Sequence, residues 1–517
     1  MRGTVGARAW WLSPSAGALA ALPPVVLAIF ICAHQLTLHG VLHGVVLNSE
    51  AQNLGSSIAI TRGALPYSNF ALAQPPGMPV LLLPLAWISH AVAPSIVLPL
   101  ARGLTAIATV VAVFLAGMAA RAYGAPAALL AGVFTATYTS GFLSTGGVTL
   151  GPWILAFTLI GICLAFKEGE LTEGGRLLAA GLFLGFACTI KPWAVIPAVL
   201  LLAGTLTMLR EARSRLVPAA GGMAIGIVVP CLVFFLAGPS DFIHQVVLAE
   251  LPGHGTATAG SKLATVLGLG GAAGIPHPAG AALGIGFAVM AVVFLTAVWG
   301  FSSSSVYDWF LALTTVGVIA VVFLPGAMSV QYGEFAFPLV AVGVSTTAGR
   351  LLGLVASSWS GRRNDSRSSI TSAMAVLVLA CAVVVAAVAA PADGRFAAQY
   401  ADHHGVLPRA VVDHAIPPGA CAIADNPTYL IDANRFDQGS GTCPVETDPA
   451  GLLAIAGTGG TAAATGRWER WMSLSRYLLL ADPPARPPLG GALAGYFHDH
   501  YATVTVRLDY GVYVRSR

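Results

Sequence analysis

Only one acidic residue, Glu50, stands between Met1 and Lys167. A carboxylate can take a proton from a hydroxyl, and one placed among apolar runs costs solvation unless something uses it. The plain alternative is a solvated loop residue without a role. The cations nearest the membrane on the same side are Arg62, Arg102 and Lys191. Guanidinium groups hold phosphate oxygens in pairs, and an ammonium holds them as a point charge. A base together with phosphate-holding cations is the equipment for moving a group from a phosphate carrier onto a hydroxyl. The plain alternatives are a snorkelling Lys191 and interface anchoring for Arg62 and Arg102. His43 and His39 precede Glu50 and could orient it, although loop histidines are commonly just solvated. Asp241, His244 and Glu250 lie in DFIHQVVLAELPGHG, a segment placed to cover a site or to hold an acceptor. Tyr332 and Glu334 open an apolar run, where Glu334 suits binding to hydroxyl groups. Trp153 and Trp193 suit stacking on a ligand ring or a place in the aromatic belt. The chain has no Walker loop, no HExxH and no nucleophile elbow.

These residues need elements to position them, and composition says in what solvent. Of 517 residues, 56% are hydrophobic and 9% charged. A globular domain carries about 25% charged residues, so lipid must solvate most of this chain. The formal charge of +4 is too small to speak to nucleic acid, and without a basic stripe with interleaved aromatics no nucleic-acid partner is expected. Apolar runs of spanning length begin near Ser15 and end near Ala390; about eleven are expected. Basic residues recur in alternate loops at Arg121, at Lys167 with Arg176, at Arg210 to Arg215 and at Arg350 to Arg367. That alternation places the N-terminus in the cytoplasm and the C-terminus across a plasma membrane.

The first outside loop is expected over residues 37–99, with PVLLLPLAWISHAV as a helix lying in the interface. Residues 1–390 would form the transmembrane part and 391–517 an extracytoplasmic α/β domain. In that domain CAIAD and YLLLA read as strands, NPTYLIDANRF and RWERWMSLSR as helices, and ATVTVRL–DYG–VYVRS as a hairpin. Cys421 and Cys443 make a plausible disulfide in an oxidising compartment; otherwise they are unrelated thiols. The other five cysteines sit in apolar runs as small hydrophobes.

The stretch after Glu50, AQNLGSSIAITR and then GALPYSNFALAQPPG from Gly63 to Gly77, resembles the first extracytoplasmic loop of the GT-C glycosyltransferase superfamily. Ala101 to Thr105, FLGFACTIKPWAVIP from Phe183 to Pro197, and QYGEFAFPLVAVG from Gln331 to Gly343 resemble later segments of that family in the right order. CAIADNPTYLIDANRFD and the following Cys443-Pro444 resemble the outer domain of actinobacterial members. The resemblance implies a polytopic α-helical fold and transfer, with inversion, of a sugar from a polyprenyl-phosphate donor to an envelope glycan, lipid or protein. It implies Glu50 as the base, Lys191, Arg102 and Arg62 as phosphate-holding cations, and Tyr67 as a loop residue near substrate.

The chain departs from the family pattern at three places. Ser49-Glu50 stands where paired aspartates are common, LSTGGVTLGPW lacks an acidic residue, and Asn69 stands where Asp is usual. So few carboxylates disfavour a divalent metal, so no metal and no cofactor beyond the lipid-linked donor is expected. Two rivals are a non-catalytic assembly protein that kept the fold and a transporter or flippase for lipid-linked sugars. The flippase would want charges buried mid-helix, and the sequence has few.

Overall fold

The computed structural model describes residues 10–37, 41–45, 47, 49–138, 146–206, 212–248, 262, 266, 298, 305–323, 330–358, 409–439, 441–449, 451, 461–481, 492–507 and 510–516. The helical part runs through α1 (Pro14–Ala20), α2 (Leu22–Thr37), α3 (Ser56–Thr61), α4 (Gly77–Ile88), α5 (Pro94–Ala120), α6 (Ala125–Ala136) and α7 (Gly151–Ala165). A small hairpin, β1 (Phe166–Lys167) and β2 (Glu170–Leu171), leads into α8 (Gly174–Ile190), α9 (Val195–Leu206), α10 (Ala212–Ala237) and α11 (Pro239–Ile243). Then come α12 (Val306–Phe323) and α13 (Val330–Ser358). The C-terminal part has α14 (Arg409–Ala415), β3 (Ala422–Ala424), α15 (Thr428–Asp432), α16 (Thr461–Leu474), β4 (Tyr477–Ala481), α17 (Ala492–His500), β5 (Tyr501–Arg507) and β6 (Tyr510–Arg515).

Among the described residues four helices are long and apolar enough to cross a bilayer: Pro14–Thr37, Pro94–Tyr123, Ser214–Ala237 and Tyr332–Leu354. Six shorter apolar helices accompany them. Against about eleven spans expected, the described residues thus hold ten apolar helices, four of them of spanning length. Large apolar side chains such as Phe30, Ile107 and Val229 point outward, as a lipid-facing surface requires. Proline at N1 starts α5 at Pro94, so the first loop is shorter than expected at that end. The segment expected to lie in the interface forms α4, which buries Met78, Leu82 and Ala86 and packs on α3, α5 and α8.

The tightest helix pair is α8 with α10. Gly181 and Gly185 on one helix face Ala219 and Met223, while Gly222 and Gly226 on the other face Leu178 and Leu182. A β-carbon at any of the four would strike facing backbone. Two small-xxx-small stripes thus bring the backbones together, which is how helices associate where lipid offers no hydrophobic drive.

The C-terminal strands form one sheet in the order β3-β4-β6-β5. β3 runs parallel to β4, and the β4–β6 and β6–β5 pairs are antiparallel. Every strand and helix read from the C-terminal sequence is present, because short alternating runs bounded by turns carry a clear period. Its own core gathers Trp468, Trp471, Met472, Leu478 and Phe497. Cys421 and Cys443 are joined by a disulfide, with Cα atoms 5.3 Å apart.

Candidate functional site

Glu50 ends a short turn and begins a π-helical turn over Ala51–Gly55, a geometry that concentrates at functional positions. Its side chain and that of Arg102, on the third turn of α5, are both 0% exposed. They form a two-pronged ion pair, with Arg102 Nε donating to Oε1 at 2.7 Å and Nη2 to Oε2 at 2.6 Å. Oε1 also accepts the Val148 amide at 3.1 Å, and Oε2 the Leu47 amide at 3.3 Å. Arg102 completes its fork on the carbonyls of Val41 (2.7 Å) and Gly44 (2.6 Å). The sequence reading gave these two residues different clients, a hydroxyl and a phosphate. In the folded chain their first client is each other, because a buried charge must be paired and hydrogen-bonded.

The loop that follows is held by a polar web. Asn53 donates to the Val148 carbonyl at 2.8 Å and accepts from Gln74 at 2.8 Å. Ser57 donates to the carbonyls of Asn53 and Pro79. Tyr67, at φ 69°, turns inward and donates its hydroxyl to the Gln74 carbonyl at 2.6 Å. Burial pushes that phenol well above its ordinary pKa. Tyr67, expected near substrate, is 3% exposed and braces the loop through this bond. Asn69 Oδ1 accepts the Leu65 amide at 2.8 Å, so the residue that replaces the usual Asp closes a turn.

Three acidic residues that the sequence reading passed over come to the same place from the C-terminal part. Asp448 Oδ2 accepts from Gln52 at 2.8 Å and from the Ala73 amide at 3.1 Å, and Oδ1 accepts the Gly451 amide at 2.8 Å. Burial raises its pKa, while these donors and the nearby Lys191 pull it back down. Glu446, two residues earlier, is 0% exposed; burial and then Asp448 lift its carboxyl well above the usual range. Its Oε2 is a buried oxygen without a hydrogen-bond partner among the described residues. Asp432 is pushed up to about 6 by burial, against the pull of Arg102 and Arg409. Thr428 joins the parts directly, donating to the Leu47 carbonyl at 3.1 Å and accepting the Ala51 amide at 3.2 Å. Ser56 and Thr447 share a hydrogen bond at 2.8 Å.

Lys191 lies at the end of α8 in extended backbone, 9% exposed, with its ammonium 5.2 Å from the Trp193 ring centre. Tyr332 meets the same Trp193 ring edge-on at 4.0 Å. Glu334 is 4% exposed and packs against Gly151 at the head of α7. Lys191, Trp193 and Tyr332 therefore form one cluster, and the pull of Lys191 on Asp448 ties that cluster to the C-terminal acids.

Other expected residues stand apart. Arg62 donates to the carbonyls of Phe436 (2.8 Å) and Gln438 (2.9 Å) and lies over the Phe436 ring. Through Nη1 it thus clasps the C-terminal part. Asp241 is exposed and His244 half-exposed. From that segment it is Gln245 that reaches the first loop, accepting the Leu72 amide at 2.9 Å. His43 is exposed on the turn before Glu50. Glu250 and His39 lie outside the described residues. Among the described residues no three His, Cys, Asp or Glu side chains group closely enough to hold a metal ion. Glu446 and Asp448 were readable as PVETDPAG, where two acids sit five residues or fewer past a cysteine in an otherwise acid-poor chain.

No protein-family model and no curated protein matches the chain by sequence. Solved structures do match it in fold. The crystal structure of ArnT from Cupriavidus metallidurans bound to undecaprenyl phosphate aligns with TM-score 0.57 at 14% identity, over 95% of this chain and 97% of that one. The archaeal oligosaccharyltransferase AglB from Archaeoglobus fulgidus, in complex with an inhibitory peptide and a dolichol-phosphate, aligns with TM-score 0.51 at 12% identity. That alignment covers 96% of this chain and 74% of the other. The apo form of the A. fulgidus enzyme gives TM-score 0.51 at 12% identity, over 91% and 69%. At these identities the shared property is the fold: a polytopic helical membrane protein matched along almost its whole length.

Proposed function

We propose that the chain transfers a sugar from a polyprenyl-phosphate donor to an envelope glycan, lipid or protein on the outer face of the plasma membrane, with inversion. The observation that carries this reading is the fold match to ArnT, whose structure holds undecaprenyl phosphate, over nearly the full length of both chains. AglB, with its dolichol-phosphate and inhibitory peptide, supports a lipid carrier and a separate acceptor. The order of the sequence motifs supports an actinobacterial-type member, with residues 391–517 as its outer domain.

In this reading the Glu50–Arg102 pair is the resting state of the chemistry. A donor phosphate competes for the Arg102 fork, since phosphate oxygens match a guanidinium as well as a carboxylate does. Lys191 supplies the second cation. Glu50, relieved of Arg102, accepts the proton of the acceptor hydroxyl; the hydroxyl oxygen bonds to the anomeric carbon as the bond to phosphate breaks. Polyprenyl phosphate leaves, held by the two cations. Hydrogen bonds tighten or exchange when substrate binds, so a saturated resting carboxylate remains competent as a base. No divalent metal or other cofactor takes part.

The saturation of Glu50 favours one other reading, a non-catalytic envelope protein in which the pair is a structural clamp. One experiment separates the two. Transfer from labelled polyprenyl-phosphate sugars is measured in membranes for wild type, Glu50→Gln and Glu50→Gln/Arg102→Gln, with a thermal melt of each. Loss of transfer by at least 100-fold in a Glu50→Gln variant that still melts cooperatively supports the base role. Equal transfer in wild type and double variant removes Glu50 from the chemistry. No transfer by wild type with any donor supplied, together with a lowered melting point in both variants, supports the clamp.

A further inference from the structure

The end of the bundle away from Glu50 carries a second built feature. From Arg102 to Arg121 the helix rises about 28 Å, close to the thickness of a bilayer core. There the end of α5, the end of α7 and the start of α8 enclose a cavity of about 210 Å³. Its wall is apolar, formed by Leu115, Met118, Ile162 and Phe166. Its rim is charged, formed by Arg121, Arg176 and Glu168. Arg176 leans inward and donates to the Cys163 carbonyl at 3.4 Å. Glu168 sits at the tip of the β1–β2 hairpin, at φ 55°. Arg121 directly follows the long apolar helix α5, at the level where a bilayer changes from acyl chains to headgroups. Among the described residues none of these three is in an ion pair.

Two guanidinium groups and one carboxylate at the rim of an apolar wall have a specific complement. We propose that this crevice binds one phosphatidylethanolamine. Its phosphodiester lies between Arg121 and Arg176, its ammonium on Glu168, and one acyl chain along the apolar wall. Each charge of the zwitterion then has an opposite partner. A phosphatidylglycerol would satisfy the arginines and leave Glu168 facing an uncharged hydroxyl. Basic pockets between helices bind the phosphate of lipid headgroups; the carboxylate at this rim adds a partner for an ammonium.

The test is native mass spectrometry of the full chain released from nanodiscs of equal phosphatidylethanolamine and phosphatidylglycerol. Wild type is expected to retain one phosphatidylethanolamine at least 10-fold over phosphatidylglycerol. Arg121→Gln and Arg176→Gln each lower that retention 10-fold or more. Glu168→Asn, whose side chain tolerates a positive φ and sits on an exposed tip, retains both lipids equally. Retention of no phospholipid by wild type, equal retention of both, or retention unchanged in the arginine variants overturns the proposal. None of the three residues belongs to the proposed transfer site, so the result stands apart from whether the chain transfers sugar.

Discussion

At the scale of single residues, the site is dominated by charge kept out of water. Removing one member of the Glu50–Arg102 pair leaves the other buried and unpaired, which costs about 3–5 kcal/mol. Glu50→Gln alone is therefore expected to lower the melting point more than Glu50→Gln/Arg102→Gln, and a double-mutant cycle by thermal melts measures the difference. Additive losses would mean that the two residues do not act as a pair. Glu446 makes the opposite prediction. Its folded pKa is raised by burial and by Asp448, so the folded state holds a proton that the unfolded chain releases above the ordinary value of 4.5. Its contribution is fully present below that value and is lost as pH rises toward the folded pKa, by up to about 1.4 kcal/mol per pH unit. Glu446→Gln is expected to flatten that slope and to raise stability at pH 8, measured by melts between pH 4.5 and 8. A wild-type melting point that rises across this window in step with the variant would contradict the buried, protonated carboxyl.

At the scale of elements, helix packing is decided by small residues more than by apolar ones. The glycines of α8 and α10 let the two backbones touch, and a larger side chain there has nowhere to go. Gly222→Leu is expected to abolish folded, monodisperse protein, while Gly221→Leu, next to it and facing open space, leaves the elution profile on gel filtration unchanged. The short C-terminal strands and helices were legible in the sequence because their periods are short and their turns explicit. The bundle was legible as a class but not in count, since apolar runs carry no signal of how deeply each helix reaches. At the site, Glu50, Arg102 and Lys191 were legible as rare charges in an apolar chain. What no local pattern carries is that Arg102 reaches back 52 positions to Glu50, or that Asp448 crosses 396 to meet Gln52. Those contacts depend on where the C-terminal part docks, and only the fold decides that.

At the scale of the whole molecule, α5 acts as a ruler. Its first turns hold Arg102 at the cluster that the C-terminal part covers, and its end holds Arg121 at the lipid crevice beside the β1–β2 hairpin. About 28 Å separates the two levels, so a membrane around α5 puts them on opposite sides. The outer-face reading of transfer therefore makes a paired prediction with exposed positions at either end. Asp499 lies on α17 of the C-terminal part and Lys167 on the hairpin, both exposed. With the free cysteines replaced by alanine and the Cys421–Cys443 bridge kept, Asp499→Cys is expected to react with a membrane-impermeant maleimide in intact cells. Lys167→Cys is expected to react only after the membrane is opened. The reverse pattern would turn the chain over, place the Glu50 cluster in the cytoplasm and end the reading of an outer-face transferase. Labelling of both in intact cells would mean that α5 does not separate two compartments, and the lipid crevice would lose its place at a headgroup layer as well.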